Sequence, residues 1–215
     1  MKRFFILMLI LFCAVQGFAQ NGVITELSGT VELKYAGQAA YVPAKAGDTV
    51  ARDTVVSTGF KSSAHISVGS VVITVRPLTR LSFSEISAAD GKETLNVGLQ
   101  GGRVRVTVDP PAGTRASMTT TSPVATASVR GTEFEFDTEV VTVIEGTVVF
   151  QSEDGTTVLV SGGASSEIDA SGRPRDPLVL IAEEFQPPPL PGSRSGYRQE
   201  AAVLRGTIEI YTPLR

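Results

Sequence analysis

The sequence predicts an all-β fold of many short strands, and three observations carry that expectation. Apolar and polar residues alternate with a period of two. Val104, Val106 and Val108 are interleaved with Arg103, Arg105 and Thr107, and Phe134 and Phe136 with Glu133, Glu135 and Asp137. Valine and threonine, stiff at the branched Cβ and suited to a pleated half-buried surface, are abundant from Gly22 to Ile168. Turn signals break these runs at short intervals, as in a sandwich, barrel or solenoid. No stretch of this region keeps helical spacing for three turns.

The first nineteen residues are of a different kind. Met1-Lys2-Arg3 is a short positive start, Phe4 to Val15 is almost wholly apolar, and Gly17 and Ala19 are small. This is the pattern of a secretory signal peptide cleaved after Ala19, with an uncleaved N-terminal anchor as the alternative. The apolar run is about a dozen residues, short of the roughly 20 that span a bilayer. Cys13 follows the bulky Phe12 inside that run, which argues against lipidation. Export places the protein in the periplasm or outside the cell. Without Cys13 the exported chain has no cysteine, so no disulfide holds it together.

The β-region is expected over residues 20–168. Asp90-Gly91 separates the run Leu81 to Ser84 from the run Thr94 to Val97, and Asp154-Gly155 separates Thr147 to Phe150 from Thr157 to Val160. Both read as hairpin turns, since glycine tolerates positive φ and aspartate bonds its own backbone. Pro110-Pro111-Ala112-Gly113 ends the strand through Val108, because proline cannot donate to a ladder. A loose echo recurs in Leu27-Ser28-Gly29-Thr30, Val129-Arg130-Gly131-Thr132, Ile144-Glu145-Gly146-Thr147 and Leu204-Arg205-Gly206-Thr207. Its spacing is irregular, so it reads as recurrent strand-start chemistry rather than a repeat. Residues 169–196 are a Pro/Gly-rich linker, with polyproline II expected around Pro187-Pro188-Pro189. Residues 197–215 are a tail with one expected strand, Gly206 to Tyr211.

Composition excludes several functions. The 215 residues are 42% hydrophobic and 19% charged, with a net charge of -3, and loss of Lys2 and Arg3 would make the balance more acidic. The arginines are scattered and form no basic stripe, so nucleic acid is not an expected partner. His65 is the single histidine, so neither a zinc site nor a serine–histidine relay can be built around others. Its place in Ser63 to Val68 reads as a solvated strand position. Glu133, Glu135, Asp137 and Glu139 would line one strand face, and same-face neighbours about 7 Å apart suit an inverting glycosidase pair. No aromatic platform accompanies them, so a solvated acidic face is the stronger reading. No catalytic residue, cofactor, metal or small-molecule substrate is expected. Arg130, beside Val129, would need an acid such as Glu145 if it were buried at the core edge.

The order of several segments resembles the FecR domain, the exported module of bacterial iron-transport regulators. The resemblance begins at Gly29-Thr30-Val31 and continues through Ala46-Gly47-Asp48-Thr49-Val50 and Val55-Val56-Ser57-Thr58-Gly59. It runs on through Val75-Arg76-Pro77-Leu78-Thr79-Arg80-Leu81 and Leu95 to Val104, which holds Gly101-Gly102-Arg103. Its most specific piece is Thr121-Ser122-Pro123 leading into Val129-Arg130-Gly131-Thr132-Glu133-Phe134. The motif residues singled out are Gly29, Gly47, Asp48, Thr58, Gly59, Pro77, Gly102, Pro123, Arg130, Gly131, Thr132 and Phe134.

The resemblance implies a compact β-solenoid or β-sandwich and no enzymatic activity. In the iron regulators the module lies across a membrane helix from a cytoplasmic segment that controls a sigma factor. No such segment is read before the leader here. The expected function is therefore a non-catalytic exported module that binds an unknown protein or cell-envelope component. The alternative is a periplasmic component of cell-surface signalling that acts through another membrane protein.

Overall fold

The computed structural model describes residues 20–178, and the regular elements named within that range are all strands. The leader read at residues 1–19 and the strand read at Gly206 to Tyr211 lie outside the described residues, as does most of the linker. One sheet holds β1 (Gly22–Ser28), β4 (Thr49–Val50), β6 (Ser63–Val68), β7 (Val71–Val75), β10 (Arg103–Val108), β13 (Glu133–Asp137), β14 (Val140–Glu145) and β17 (Ser165–Glu167). The second holds β2 (Val31–Lys34), β3 (Val42–Pro43), β5 (Val55–Thr58), β8 (Arg80–Ala89), β9 (Lys92–Gly101), β11 (Arg115–Thr121), β12 (Ala125–Val129), β15 (Thr147–Ser152) and β16 (Thr157–Ser161).

The first sheet is ordered β17-β14-β13-β10-β7-β6-β1-β4 and the second β16-β15-β12-β11-β9-β8-β5-β2-β3. Both orders nearly follow the sequence. The chain thus passes from one sheet to the other, lays down one or two strands, and returns one step further along. Neighbours pair antiparallel except β9 and β11, which run parallel from Lys92↔Arg115 to Gly98↔Thr121.

The alternating runs put one side of every long strand inside. Val104, Val106, Phe134 and Phe136 are fully buried, while Arg105, Glu133 and Glu135 face outward. The inner faces share one apolar core that includes Phe83, Phe134, Phe136 and Phe150. Phe136 of β13 meets Phe150 of β15 edge to face, with ring centroids 6.2 Å apart and 76° between planes. This contact joins the two sheets directly. Burying each such ring contributes about 1.5–3 kcal/mol, which is how a chain without disulfides supports two sheets.

Glycines in the left-handed region make the crossings. Gly29 (φ +76), Gly131 (φ +73) and Gly146 (φ +88) each stand where the chain leaves one sheet for the other, and Gly102 (φ +88) does the same between β9 and β10. The echo therefore has a physical cause: glycine turns the corner and a β-branched residue opens the next strand. The hairpin at Asp90-Gly91 has both residues at positive φ (+52 and +70), the two-residue turn that matches strand twist.

At the second hairpin the Asp154 carboxylate accepts hydrogen bonds from the Ser152 hydroxyl (2.5 Å) and the Thr156 amide (3.0 Å). β10 ends at Val108, before Pro110. Past β17 the pairing continues through a bridge between Ile168 and Pro174.

One expectation is corrected. Arg130 is exposed and forms no ion pair with Glu145 among the described residues. Val129 fills the core position, and alternation turns Arg130 outward at the corner where Gly131 bends the chain.

Candidate functional site: a rim of crossings beside a charged cleft

Three crossings lie side by side at one end of the two sheets: Gly59 to Ser62 between β5 and β6, Arg76 to Thr79 between β7 and β8, and Gly102 between β9 and β10. Buried hydroxyls latch them. The Thr58 hydroxyl donates to the Arg76 carbonyl at 2.6 Å and accepts from the Thr79 amide at 3.0 Å. The Thr79 hydroxyl accepts from the Arg103 amide at 3.0 Å, and the Ser62 hydroxyl accepts from the Thr30 amide at 2.8 Å. A crossing strand has no ladder partner, so its amides and carbonyls need side-chain partners when buried.

Two large apolar side chains stand on this latched base in water. Phe60 is 73% exposed and Leu78 is 64% exposed. The Leu78 amide donates to the Gly59 carbonyl at 3.2 Å, which sets the two loops against each other. Leu78 and Lys61 both have positive φ (+56 and +52), a conformation that costs a non-glycine residue about 1 kcal/mol or more. The Lys61 ammonium lies 5.5 Å from the Phe60 ring centroid.

Next to the rim is an open cleft of about 670 Å³, lined by Arg76, Pro77, Gly102, Arg103, Glu135, Asp137, Thr138, Glu139 and Val140. The register of β10 on β13 sets Arg103 opposite Asp137 and Arg105 opposite Glu135. Arg76 pairs with Glu135 (2.6 Å), Arg103 with Asp137 (3.2 Å) and Arg105 with Glu133 (2.7 Å). Asp137 also accepts from the amides of Glu139 and Val140, which closes the hairpin into β14.

The acidic strand face is thus bound to arginines on β10 and at the end of β7. Glu133, Glu135 and Asp137 are each engaged by a guanidinium, which ties β13 to β10 and to the end of β7. His65 lies on the same outward face, with Nδ1 3.1 Å from the Thr74 hydroxyl. Among the described residues no group of three or more His, Cys, Asp or Glu side chains could hold a metal ion.

Several motif residues converge on this end. Thr58, Gly59, Pro77 and Gly102 build the rim, and Gly29 turns the neighbouring crossing against Ser62. Pro123 follows Ser122, whose hydroxyl donates to the Thr138 carbonyl at 2.6 Å beside the cleft. Gly131 and Thr132 lie at the opposite end of β13, where the Thr132 hydroxyl donates to the Thr147 carbonyl at 3.3 Å. Phe134 is in the core.

Gly47 and Asp48 form a separate turn. The Asp48 amide donates to the Lys45 carbonyl (3.1 Å) and the Asp48 carboxylate accepts from the Lys45 amide (2.7 Å). Sequence reasoning missed Phe60 and Leu78 as surface features and Ser62 and Thr79 as latches. The available signal was a hydroxyl or apolar residue set beside glycine or proline, outside the alternating runs.

A two-sheet β-module with latched crossings is the class that fold and rim define. Residues 54–149 match the family model described as FecR protein. The match takes in the rim loops at Phe60 and Leu78, the cleft and the corners at Gly102, Gly131 and Gly146. Two crystal structures from Parabacteroides distasonis ATCC 8503, each described as a "putative anti-sigma factor", resemble part of this fold. One, at 1.65 Å, has 13% identity and a TM-score of 0.46, covering 60% of this chain and 64% of its own. The other, at 2.50 Å, has 14% identity and a TM-score of 0.47, covering 60% of this chain and 62% of its own. The chain therefore spans less than two thirds of either. No curated protein matches the sequence.

Proposed function

We propose that this chain is a non-catalytic, exported FecR-domain protein that docks a protein partner in cell-surface signalling, with the rim at Phe60 and Leu78 as the contact. The leader pattern at residues 1–19 supports export to the periplasm, and the winding of the chain between two sheets supports a flattened solenoid-like scaffold. One observation carries the reading: two large apolar side chains are held in water on backbone that is latched from beneath. Leaving such side chains solvated forgoes about 1.5–3 kcal/mol of burial each, and Leu78 adds its conformational cost. A pocket on a partner would recover that burial, and the paired charges beside the rim would set orientation.

The test places a photocrosslinking residue at position 60, at position 78, and at Val72 on the outward face of β7, beside Ser67 and Thr107, in the full chain in its native envelope. Adducts to one envelope protein at 60 and 78 but not at 72, lost when the other rim residue is changed to serine, are expected. Equal labelling at all three positions, or turnover of a defined small molecule by the purified chain, would overturn the proposal.

A further inference from the structure

The rim carries charge of one sign. Every charged side chain on its three crossings, or next to them in the chain, is a cation: Lys61, Arg76, Arg80 and Arg103. Arg76 and Arg103 are matched on the first-sheet side by Glu135 and Asp137. Lys61 and Arg80 are exposed and form no ion pair among the described residues.

Arg80 is set against an aromatic ring rather than an acid. Its guanidinium lies 6.0 Å from the Tyr41 ring centroid, and the Lys34 ammonium lies 6.0 Å from the same centroid. Cations gathered on one ring without a carboxylate raise the local positive potential. The outward acid of β2, Glu32, is two strands from Arg80, across Ser57, and forms no ion pair among the described residues. Arg80 also borders an open groove of about 300 Å³ on the second-sheet side of Leu78, lined with it by Ser57, Gln100 and Gly101. A Cβ on Gly101 would meet nothing within 4 Å, so the groove has room there for a side chain from outside.

We infer that the partner segment received at this rim is acidic as well as apolar. A bulky apolar side chain covers Phe60 and Leu78, and an aspartate or glutamate beside it enters the groove and takes the Arg80 guanidinium, with Lys61 adding attraction from the neighbouring loop. This rests on the rim being the contact. Charge selects the occupant. A wholly apolar or a basic surface would cover Phe60 and Leu78 only by leaving two cations unmatched at the contact. A broad anionic surface, lipid or nucleic acid, would also press on Glu139, which is exposed on the first-sheet side of the cleft and has no ion pair among the described residues. A single carboxylate side chain reaches the groove on the second-sheet side without approaching Glu139. The guanidinium fork takes a carboxylate through two parallel hydrogen bonds, which fixes the direction in which the segment lies.

The test combines crosslinking from positions 60 and 78 of the full chain, in its native envelope, with charge reversal. Arg80→Glu is expected to lower the yield of protein adducts at least ~10-fold by setting like charges together, and Lys61→Glu to lower it less. Both side chains are exposed, so the thermal midpoints stay near that of the wild type. Arg115→Glu reverses an exposed cation at the far end of β9 from the rim, opposite Lys92, and is expected to leave the yield unchanged. The crosslinked partner peptide is expected to hold an aspartate or glutamate within about three residues of the attachment point, the reach of the groove from Leu78. Replacing that acid by lysine is expected to restore adducts to the Arg80→Glu chain. Wild-type adducts indifferent to Arg80→Glu, an equal loss with Arg115→Glu, a partner peptide without an acid, or a charge swap that restores nothing would overturn this inference and leave the rim as the contact. Absence of wild-type adducts at both positions, or adducts to lipid in place of protein, would overturn the rim and this inference together.

Discussion

Thr58 and Thr79 are bound to each other across two crossings, the Thr79 amide donating to the Thr58 hydroxyl at 3.0 Å and the Thr58 amide to the Thr79 carbonyl at 2.9 Å. The same Thr58 hydroxyl donates a hydrogen bond to the Arg76 carbonyl. One buried oxygen therefore satisfies two main-chain groups where no ladder reaches. Thr58→Val keeps the shape and removes that oxygen. The expected loss is about 1–3 kcal/mol, the cost of leaving buried polar groups unpaired. For a domain of this size that lowers the thermal midpoint by roughly 2–4 °C per kcal/mol. Thr58→Ser retains the latch and should recover most of the loss in the same calorimetric scan.

Gly102 and Gly47 share a left-handed backbone and differ in surroundings, so alanine separates the two costs. A Cβ on Gly102 would lie 2.5 Å from the Thr79 Cα and 2.7 Å from the Leu78 carbonyl oxygen, at φ +88. A Cβ on Gly47, at φ +91, meets nothing within 4 Å. Gly47→Ala is expected to cost about 1 kcal/mol for conformation alone. Gly102→Ala must also move the rim, and its cost should exceed about 2 kcal/mol. Chemical denaturation of the two variants measures the difference, and equal losses would contradict the close approach at Gly102.

The inner faces were legible in the sequence because alternation is a local signal. Val104, Val106, Phe134 and Phe136 announce a buried side without knowledge of any neighbour. The Asp90-Gly91 turn is legible for the same reason. Pairing across the sheet is not local. The basic alternation at Arg103 and Arg105 and the acidic alternation at Glu133, Glu135 and Asp137 are each visible, but nothing in either run says that they face each other. Only the register turns two charged strips into ion pairs.

The parallel pairing of β9 with β11 was hidden likewise, because β10 intervenes in the other sheet. Arg130 was misplaced because the corner at Gly131 changes the sheet in which the alternation is counted. Phe60 and Leu78 carry no signal of exposure beyond their place beside glycine and proline. An isolated apolar residue there reads equally well as a strand end.

Thr120 gives a prediction of opposite sign. Its side chain faces the core from β11 with no exposed surface, and its hydroxyl has no hydrogen-bond partner among the described residues. Its register partner on β12 is the fully buried Ala127. An unpaired buried hydroxyl costs free energy that an isosteric methyl does not. Thr120→Val is therefore expected to stabilise the domain by about 1 kcal/mol, read as a higher thermal midpoint. A lower midpoint would mean that the hydroxyl has a partner after all.

Asp154 ties stability to acid through the β15–β16 hairpin. Hydrogen bonds from the Ser152 hydroxyl, and then from the Thr156 amide and hydroxyl, hold its carboxyl well below the usual carboxylate range. Arg173, 3.4 Å away, acts in the same direction more weakly. A carboxyl whose folded value is depressed contributes stability that is fully present above its unfolded value. That contribution is lost as pH falls through the folded value. Asp154→Ala removes it at neutral pH. The difference in thermal midpoint between wild type and Asp154→Ala should therefore be constant from pH 7 to about 5 and shrink below about pH 4, where unfolded chains take up protons. A scan of both proteins from pH 7 to the acid limit decides it, and a difference that widens toward acid would show that the hairpin is held by something other than this carboxylate.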